Sequence, residues 1–206
     1  MNRVLPLVLV ALAMLAFATV LLVIAPAVEI HGSKPTPGLK PYTAQQLRGR
    51  AQYISQGCVY CHSQQPRSID QAPDAERGWG RASVASDYVY DTPQLLGTMR
   101  TGPDLFNVGA RLPSRDWHLS HLYQPRAVFA WSIMPSYPYL FQHKARAGAD
   151  DVVVRLPPAY APKSGVIVAR PEALDLVAYL LALDHTFPAP RNAVRDNGYA
   201  SAGAPR

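Results

Sequence analysis

The chain has 206 residues, of which 49% are hydrophobic, and its formal net charge is +6. This length accommodates one domain of ordinary size together with shorter additional segments. The positive charge does not indicate nucleic-acid binding, because the arginines are scattered and no Lys/Arg run with interleaved aromatic residues occurs. We expect a basic, solvated surface on which a few arginines have local roles.

An apolar stretch lies close to the start of the chain. Residues Val4 to Ile24 include no charged side chain, and a helix of that length, at about 1.5 Å per residue, approaches the ~30 Å of a hydrocarbon core. The alternative is a cleaved signal peptide, since Ala25-Pro26-Ala27 has the pattern of a cleavage site. The apolar region of a signal peptide is shorter, however, normally about 7 to 15 residues. We therefore predict a retained membrane anchor over residues 1–28.

A tether and a helix are predicted next. Residues 29–41 are rich in proline and glycine, which stops a helix and suits a short tether. Residues 43–46 have the form of a capping box, and Gly57 stands where a C-cap glycine is expected. Apolar side chains recur at helical spacing between them, at Leu47, Ala51 and Ile54. The predicted helix therefore leads directly into Cys58.

Loops dominate the middle of the chain. Residues 64–113 are rich in Gly, Pro, Asp and Ser, so they are predicted to be mostly loop with one short helix. A loop of this length in a compact domain is usually functional. A second helix is predicted from Ser114 to near Pro125, with a short helical segment before Met134.

The carboxy-terminal part is predicted to contain a hairpin, a helix and a tail. Val152–Leu156 and Gly165–Ala169 are two β-branched runs, which favour a small hairpin. Pro171 opens the last clear helix. Residues 188–206 carry few bulky apolar side chains and are predicted to be disordered.

The chain has only two cysteines, and they stand in the sequence Cys58-Val-Tyr-Cys61-His62. A zinc site needs four ligands, and no second cysteine pair is present. A thioredoxin-like redox pair would follow a strand, whereas this pair follows a predicted helix. A haem c attachment site meets every requirement: two thioethers form from Cys58 and Cys61, and His62 binds the iron. We predict one covalent haem c, which is attached outside the cytoplasm and places the domain in the periplasm.

The iron needs a ligand on its other face, which methionine or histidine supplies. The candidates are Met99, Met134, His118, His121 and His143. Met134 is favoured because Pro135 stiffens the loop that holds the thioether, whereas Met99 is expected to be core filler. His118 and His121 are interpreted mainly as surface or haem-edge residues.

The two haem propionates need hydrogen-bond donors where they are buried. The candidates are Arg100, Arg67 and Trp79, which lie on the segments expected to wrap the ring, and Arg100 is favoured among them.

Six motifs occur in one order along the chain. They are Tyr53-Ile-Ser-Gln-Gly-Cys-Val-Tyr-Cys-His-Ser-Gln-Gln65, Ser86-Asp-Tyr-Val-Tyr-Asp91, Arg100-Thr-Gly-Pro-Asp-Leu105, Asp116-Trp-His-Leu-Ser-His-Leu122, Pro125-Arg126 and Ser132-Ile-Met-Pro-Ser-Tyr137. Together they resemble the membrane-anchored mono-haem cytochrome c subunit, subunit II, of cbb(3)-type cytochrome c oxidases. The likeness covers roughly residues 40–141 and the anchor.

The resemblance implies a mainly α protein, with a single N-terminal transmembrane helix and a small class-I-like cytochrome c domain over residues 42–187. It implies His62 and Met134 as axial ligands and places Pro103 on the histidine side of the haem. It also implies a non-catalytic role, in which the haem passes electrons to a membrane haem-copper subunit that reduces oxygen. A further cytochrome c subunit or a soluble carrier would be the donor, and no nucleic acid is involved.

Two departures from the family pattern leave the type of complex open. The chain has Gln65-Pro66-Arg67 where the family has a methionine and an isoleucine, and residues 142–170 do not match the expected pattern. The departures favour a variant haem-copper oxidase with a different set of companion subunits. Separate alternatives are the anchored cytochrome c subunit of a nitric oxide reductase and a free membrane-bound electron carrier. A haem-based sensor is disfavoured, because nothing resembles a signalling output domain.

Overall fold

The computed structural model describes residues 4–32 and 34–190, and the protein is mainly α, as predicted. Most of the expected tail, residues 191–206, lies outside the described residues. The chain begins with α1 (Val4–Thr19), a π-helical segment (Val20–Ile24) and α2 (Ala25–Gly32). Together these segments form one continuous helix, which from Val4 to Glu29 has the length and apolar composition of a membrane span. The most apolar 18-residue stretch of this helix is not buried in protein.

The amino-terminal segment belongs to one of two compact units. That unit includes residues up to Pro37 and Val84–Asp91, and the other consists of Gly38–Ser83 and Thr92–Pro188. Within the first unit the Thr36 hydroxyl donates to the Asp87 carboxylate over 2.7 Å, and both side chains are buried. Thr36, near the middle of the predicted tether, therefore has a fixed partner.

The helix that precedes the cysteines, α3 (Ala44–Ser55), begins and ends as predicted. The Thr43 hydroxyl accepts a hydrogen bond from the backbone of Gln46, and the Gln46 side chain accepts one from the backbone of Thr43. This reciprocal capping box satisfies two N–H groups that the first helical turn leaves unpaired. Gly57 follows with φ +72°, the left-handed conformation that stops a helix with little strain in glycine.

The long loop and the middle helices also agree with the prediction. Residues 64–113 include a 3₁₀ turn (Ala85–Tyr88) and one short helix, α4 (Val108–Arg111). The next helix, α5 (Arg115–Tyr123), is capped by Ser114, whose hydroxyl accepts from the Trp117 backbone over 3.2 Å. Further 3₁₀ turns occupy Pro125–Ala127 and Pro138–Leu140.

The predicted hairpin is wrong in its main pairing. Strand β1 (Phe141–Lys144) pairs antiparallel with strand β2 (Val166–Ala169), with Phe141 opposite Ala169. Val152–Leu156 is not a strand, although it runs beside β2 through a single bridge from Val153 to Val168. The β-branched pattern located β2 correctly. Its partner β1 has the sequence Phe-Gln-His-Lys, which contains no β-branched residue, and it is a strand because it pairs with β2.

The last helix, α6 (Pro171–Ala182), packs against α3 to form the centre of the second unit. Tyr179 of α6 is fully buried, and its ring contacts Tyr53 of α3 with centroids 5.5 Å apart. At the same crossing Arg48 of α3 donates to the Asp175 carboxylate of α6 over 2.7 Å. This helix pair is the support from which the chain enters the cysteine segment.

Gly49 permits the close crossing of α3 and α6. A Cβ atom at this position would overlap the Asp175 carbonyl oxygen and lie 2.8 Å from the Tyr179 Cβ. We expect Gly49→Ala to lower the free energy of unfolding by about 1–3 kcal/mol, since both obstacles belong to a packed helix. Urea unfolding measures this loss. The exposed Gly148→Ala is the control, and an equal loss in the two variants would contradict the packing argument.

Candidate functional site

The cysteine segment forms a tight turn. It is a 3₁₀ turn over Cys58–Tyr60, in which the Cys58 carbonyl accepts from the N–H groups of Cys61 and His62 over 3.1 and 3.0 Å. Neither cysteine forms a disulfide, and Cys61 is exposed. Burial raises the pKa of Cys58 to about 11, so its sulfur is a neutral thiol at neutral pH. Both sulfurs are therefore available for bonding to a ligand.

The His62 ring is held in one tautomer. Its Nδ1 lies 2.8 Å from the carbonyl oxygen of Pro103. Because a carbonyl only accepts, Nδ1 carries the hydrogen and the lone pair of Nε2 is free for a metal. Burial lowers the pKa of His62 and favours the neutral imidazole that metal binding requires.

Gly102 lies against this ring. A Cβ atom there would overlap Cε1 of His62 and lie 2.7 Å from its Nδ1 and 2.8 Å from its Nε2. The absence of a side chain therefore allows the backbone to pack on the face of the imidazole.

Two backbone segments hold the imidazole between them, and we call them the histidine clasp: residues 61–65 and 102–106. The Gly102 N–H donates to the Cys61 carbonyl over 2.9 Å, and the Leu105 N–H donates to the Ser63 carbonyl over 2.8 Å. With the His62–Pro103 bond between them, these contacts fix the imidazole relative to its acceptor. The structure thus places Pro103, a residue expected at the haem, in direct contact with His62.

Asp104 is the buried centre of the histidine clasp. Its fully buried carboxylate accepts from the Ser63 hydroxyl over 2.6 Å, from the Gln65 N–H over 2.8 Å and from the Phe106 N–H over 2.8 Å. Burial raises its pKa, while these donors and the charge of Arg100 act in the opposite direction. The carboxylate therefore joins both segments of the clasp.

Arg100 binds protein acceptors with every nitrogen of its guanidinium group. Nε donates to the Ser63 hydroxyl over 3.1 Å, and Nη2 donates to the Gln65 carbonyl over 2.8 Å. Nη1 donates to the buried carboxylate of Asp74 over 2.7 Å. The expected propionate donor is therefore part of the support of the histidine clasp.

The other two expected propionate donors lie near this support. Trp79 is half-buried, and the guanidinium groups of Arg77 and Arg100 stand over its ring at 4.9 and 5.3 Å. Arg67 is exposed, and its backbone N–H donates to the Asp74 carboxylate over 2.7 Å.

The loop that carries Met134 returns to the cysteine turn. Met134 is half-buried against the hydrophobic core, and its backbone N–H donates to the Ser132 hydroxyl over 3.2 Å. Five residues further on, the Tyr139 hydroxyl donates to the Gln56 side chain, two residues before Cys58. A direct side-chain contact thus joins the segment after Met134 to the residues that precede the cysteine turn.

The remaining ligand candidates occupy different environments. Met99 is 56% exposed, and His143 lies exposed on β1 with Nε2 2.7 Å from the Ser164 carbonyl. Of the two interpretations of His118, as a surface or a haem-edge residue, the first is wrong, because this residue is 3% exposed and its Nε2 lies 2.9 Å from the Leu112 carbonyl. Helix α5 turns this side chain towards the protein interior.

Two buried polar atoms beside the clasp have no hydrogen-bond partner in the described part of the chain: Nδ1 of His121 and Nε of Arg111. The charge of Arg111 acts to lower the pKa of His62, and the charge of His62 acts to lower the pKa of His121. An orphaned buried donor indicates a missing polar partner. Together with two free thiols and a free imidazole Nε2, these atoms fit a haem with polar substituents.

Acid is expected to destabilise the fold through His121. Burial, reinforced by His118 and His62, lowers the pKa of His121 from 6.5 to about 4. Since the unfolded chain then binds the proton at a higher pH than the folded chain, stability falls as pH drops from about 6.5 to about 4.

His121→Phe is expected to remove on the order of 2 kcal/mol of this acid-induced loss, because phenylalanine does not titrate. The new ring can keep the stacking on Trp117, which lies at 4.7 Å between centroids. Urea unfolding across the acid range measures the difference. Exposed His143→Phe is the control, and identical acid profiles for wild type and His121→Phe would contradict the expectation.

Sequence reasoning missed three residues of this site. Gly102 and Asp104 belong to the motif Arg100–Leu105, but the sequence assigned neither of them an individual role. The only signal for Asp104 was an acidic residue directly after Gly-Pro. Arg111 had no sequence signal, because its contact with the Asp104 carbonyl depends on how α4 turns after the clasp.

The chain matches a known protein family over most of its length. A family model described as "Cytochrome C oxidase, mono-heme subunit/FixO" matches residues 2–155, and no curated protein matches the chain. The match covers the amino-terminal helix, the cysteine turn, the clasp and the methionine loop. The chain belongs to this family. The resemblance to subunit II of cbb(3)-type oxidases is therefore confirmed.

Membership has three consequences for the chain. It is a mono-haem cytochrome subunit of a cytochrome c oxidase, which is consistent with electron transfer. It works in a complex with other oxidase subunits. Its amino-terminal apolar helix is compatible with a membrane anchor.

Proposed function

We propose that the chain carries one covalently attached haem c and relays electrons to a membrane haem-copper subunit that reduces oxygen to water. The observation that carries this proposal is the histidine clasp beside two unbonded cysteines. It presents a neutral imidazole with a free Nε2 four residues after the first thiol. Bound haem c supplies a one-electron couple at its iron.

Each residue of the site has a defined task in this proposal. Cys58 and Cys61 would form the thioether links, and His62, whose orientation Pro103 maintains, would bind the iron. Met134 would supply the second iron ligand, and the contact between Tyr139 and Gln56 holds the segment after Met134 near the cysteine turn. A haem held by both residues would supply electron transfer and leave no iron position for a substrate.

The amino-terminal helix is the anchor in this proposal. Its apolar side chains are exposed from Val4 to Ile24, as a lipid-facing helix requires. Attachment of haem c occurs outside the cytoplasm, so the soluble part faces the periplasm of a bacterial inner membrane. The partners are the haem-copper subunit as acceptor and a further cytochrome c subunit or a soluble carrier as donor.

The test is the haem and metal content of the complex that co-purifies with this chain when it is isolated by affinity from its own membranes in mild detergent. We expect one covalent haem c on this chain, accompanied by b-type haem and copper. Non-haem iron in place of copper would instead identify a nitric oxide reductase. Recovery of haem c alone would contradict the relay and leave a free anchored carrier.

The control for the cofactor is the double variant Cys58→Ala and Cys61→Ala. It is expected to lack covalent haem, because no sulfur remains to form a thioether. Covalent haem on that variant would contradict the assigned attachment site.

A further inference from the structure

Arg111 is a half-buried cation with hydrogen-bond donors that the described protein groups leave unused. Its guanidinium group makes one hydrogen bond, from Nη2 to the Asp104 carbonyl over 2.5 Å, and its Nε is buried without a partner. No carboxylate forms an ion pair with it in the described part of the chain, although the charge of Asp104 acts on it through space. Burying a cation in this way is unfavourable unless an anion is supplied.

The position of Arg111 relates it to the expected haem. The Asp104 carbonyl to which it donates is the next carbonyl along the chain from that of Pro103, the acceptor of the His62 ring. The positive charge of Arg111 also acts to lower the pKa of His62. Arg111 and the His62 ring therefore bind consecutive carbonyls of the same segment of the clasp.

The residues first expected to bind propionates have other environments. All three nitrogens of Arg100 already bind Ser63, Asp74 and Gln65, and its positive charge compensates Asp74 and Asp104. The exposed side chain of Arg67 does not suffer the desolvation that makes an anionic partner necessary. Among these three arginines, Arg111 is the one with a buried, unused donor.

We propose that Arg111 binds a propionate carboxylate of the haem through Nε and its neighbouring guanidinium nitrogen. The inference rests on the proposed function, since it requires a haem on His62. The ligand is a carboxylate, which the guanidinium fork can bind through two parallel hydrogen bonds. Arg100 then acts as a positioning residue that holds the clasp, while Arg111 compensates the charge of the cofactor.

The test uses the detergent-purified full complex with Arg111→Gln, Arg111→Lys and Arg67→Gln. Resonance Raman spectroscopy reads the propionate bending modes, and a potentiometric titration reads the midpoint potential of haem c. Arg111→Gln is expected to shift the bending mode and to lower the potential, because a cation near the haem favours the reduced, less positive iron. Arg111→Lys should shift the potential less than Arg111→Gln does, because it keeps the positive charge. It should still shift the bending mode, because it loses the guanidinium fork.

Arg67→Gln is the matched control, because it removes the same charge from an exposed position. We expect it to leave the bending mode unchanged and to shift the potential less than Arg111→Gln does. Unchanged propionate modes in Arg111→Gln that still carries covalent haem would overturn the assignment. Absence of covalent haem from the wild-type chain would refute the proposed function instead, so the two failures are distinguishable.

Discussion

Met134→His is expected to lower the midpoint potential of the haem by on the order of a few hundred millivolts, the largest effect we expect from a single substitution. A thioether stabilises reduced iron, whereas a second imidazole donates more strongly and stabilises oxidised iron. In the proposed site either side chain at position 134 would complete six-coordination with His62, so the haem should remain low-spin. A change in potential at constant spin state would therefore report the ligand exchange itself.

Potentiometric titration and near-infrared absorption measure this exchange, since a sulfur-to-iron charge-transfer band should be present in the wild type and absent from Met134→His. Met99→His is the matched control, because Met99 is 56% exposed whereas Met134 is half-buried against the core. We expect the control to keep both the potential and the band. A wild-type potential in Met134→His, or loss of the band in Met99→His, would show that the assigned ligand is wrong.

Asp104→Ala is expected to lower the free energy of unfolding by about 3–5 kcal/mol, which is the usual cost of removing one partner from a buried charged network. The substitution would leave the Ser63 hydroxyl and the backbone N–H groups of Gln65 and Phe106 without their acceptor. It would also remove one of the two carboxylates that face Arg100. The histidine clasp should therefore loosen, and His62 should lose its fixed orientation.

Thermal or urea unfolding measures the loss, and the fraction of low-spin haem measures the orientation of His62. Asp104→Asn keeps the shape and one acceptor oxygen, so a smaller loss is expected. Exposed Asp70→Ala removes a carboxylate from the neighbouring loop and should have an effect within about 0.5 kcal/mol. Equal stability of Asp104→Ala and Asp70→Ala would contradict the role assigned to the clasp.

Local signals in the sequence were sufficient to predict where the main helices of the soluble part begin. The capping box at Thr43, the N-cap at Ser114 and the proline at 171 each mark a helix start that the structure confirms. These signals act within one helical turn, so the residues that produce them are neighbours in the chain. The same reasoning placed β2 but failed for β1, because the strand character of residues 141–144 depends on a partner more than twenty residues away.

In the candidate site, too, residues within one short motif could be predicted, whereas contacts between distant residues could not. Cys58, Cys61 and His62 form a contiguous motif, so the sequence alone predicts their chemistry. The environments of Arg100 and Arg111 depend on which acceptors the fold brings to each guanidinium group. Arg100 lies beside two buried carboxylates, whereas Arg111 donates to one backbone carbonyl, and nothing in their immediate sequence distinguishes the two.

The most direct test of the electron relay follows the oxidation state of this haem c during oxygen reduction. The purified, fully reduced complex is mixed rapidly with oxygen, and haem c absorbance is recorded alongside that of the b-type haems. We predict that haem c is oxidised within a single turnover and is reduced again when a c-type electron donor is added. Continued oxygen consumption while haem c stays reduced would contradict the role of this chain as the electron relay.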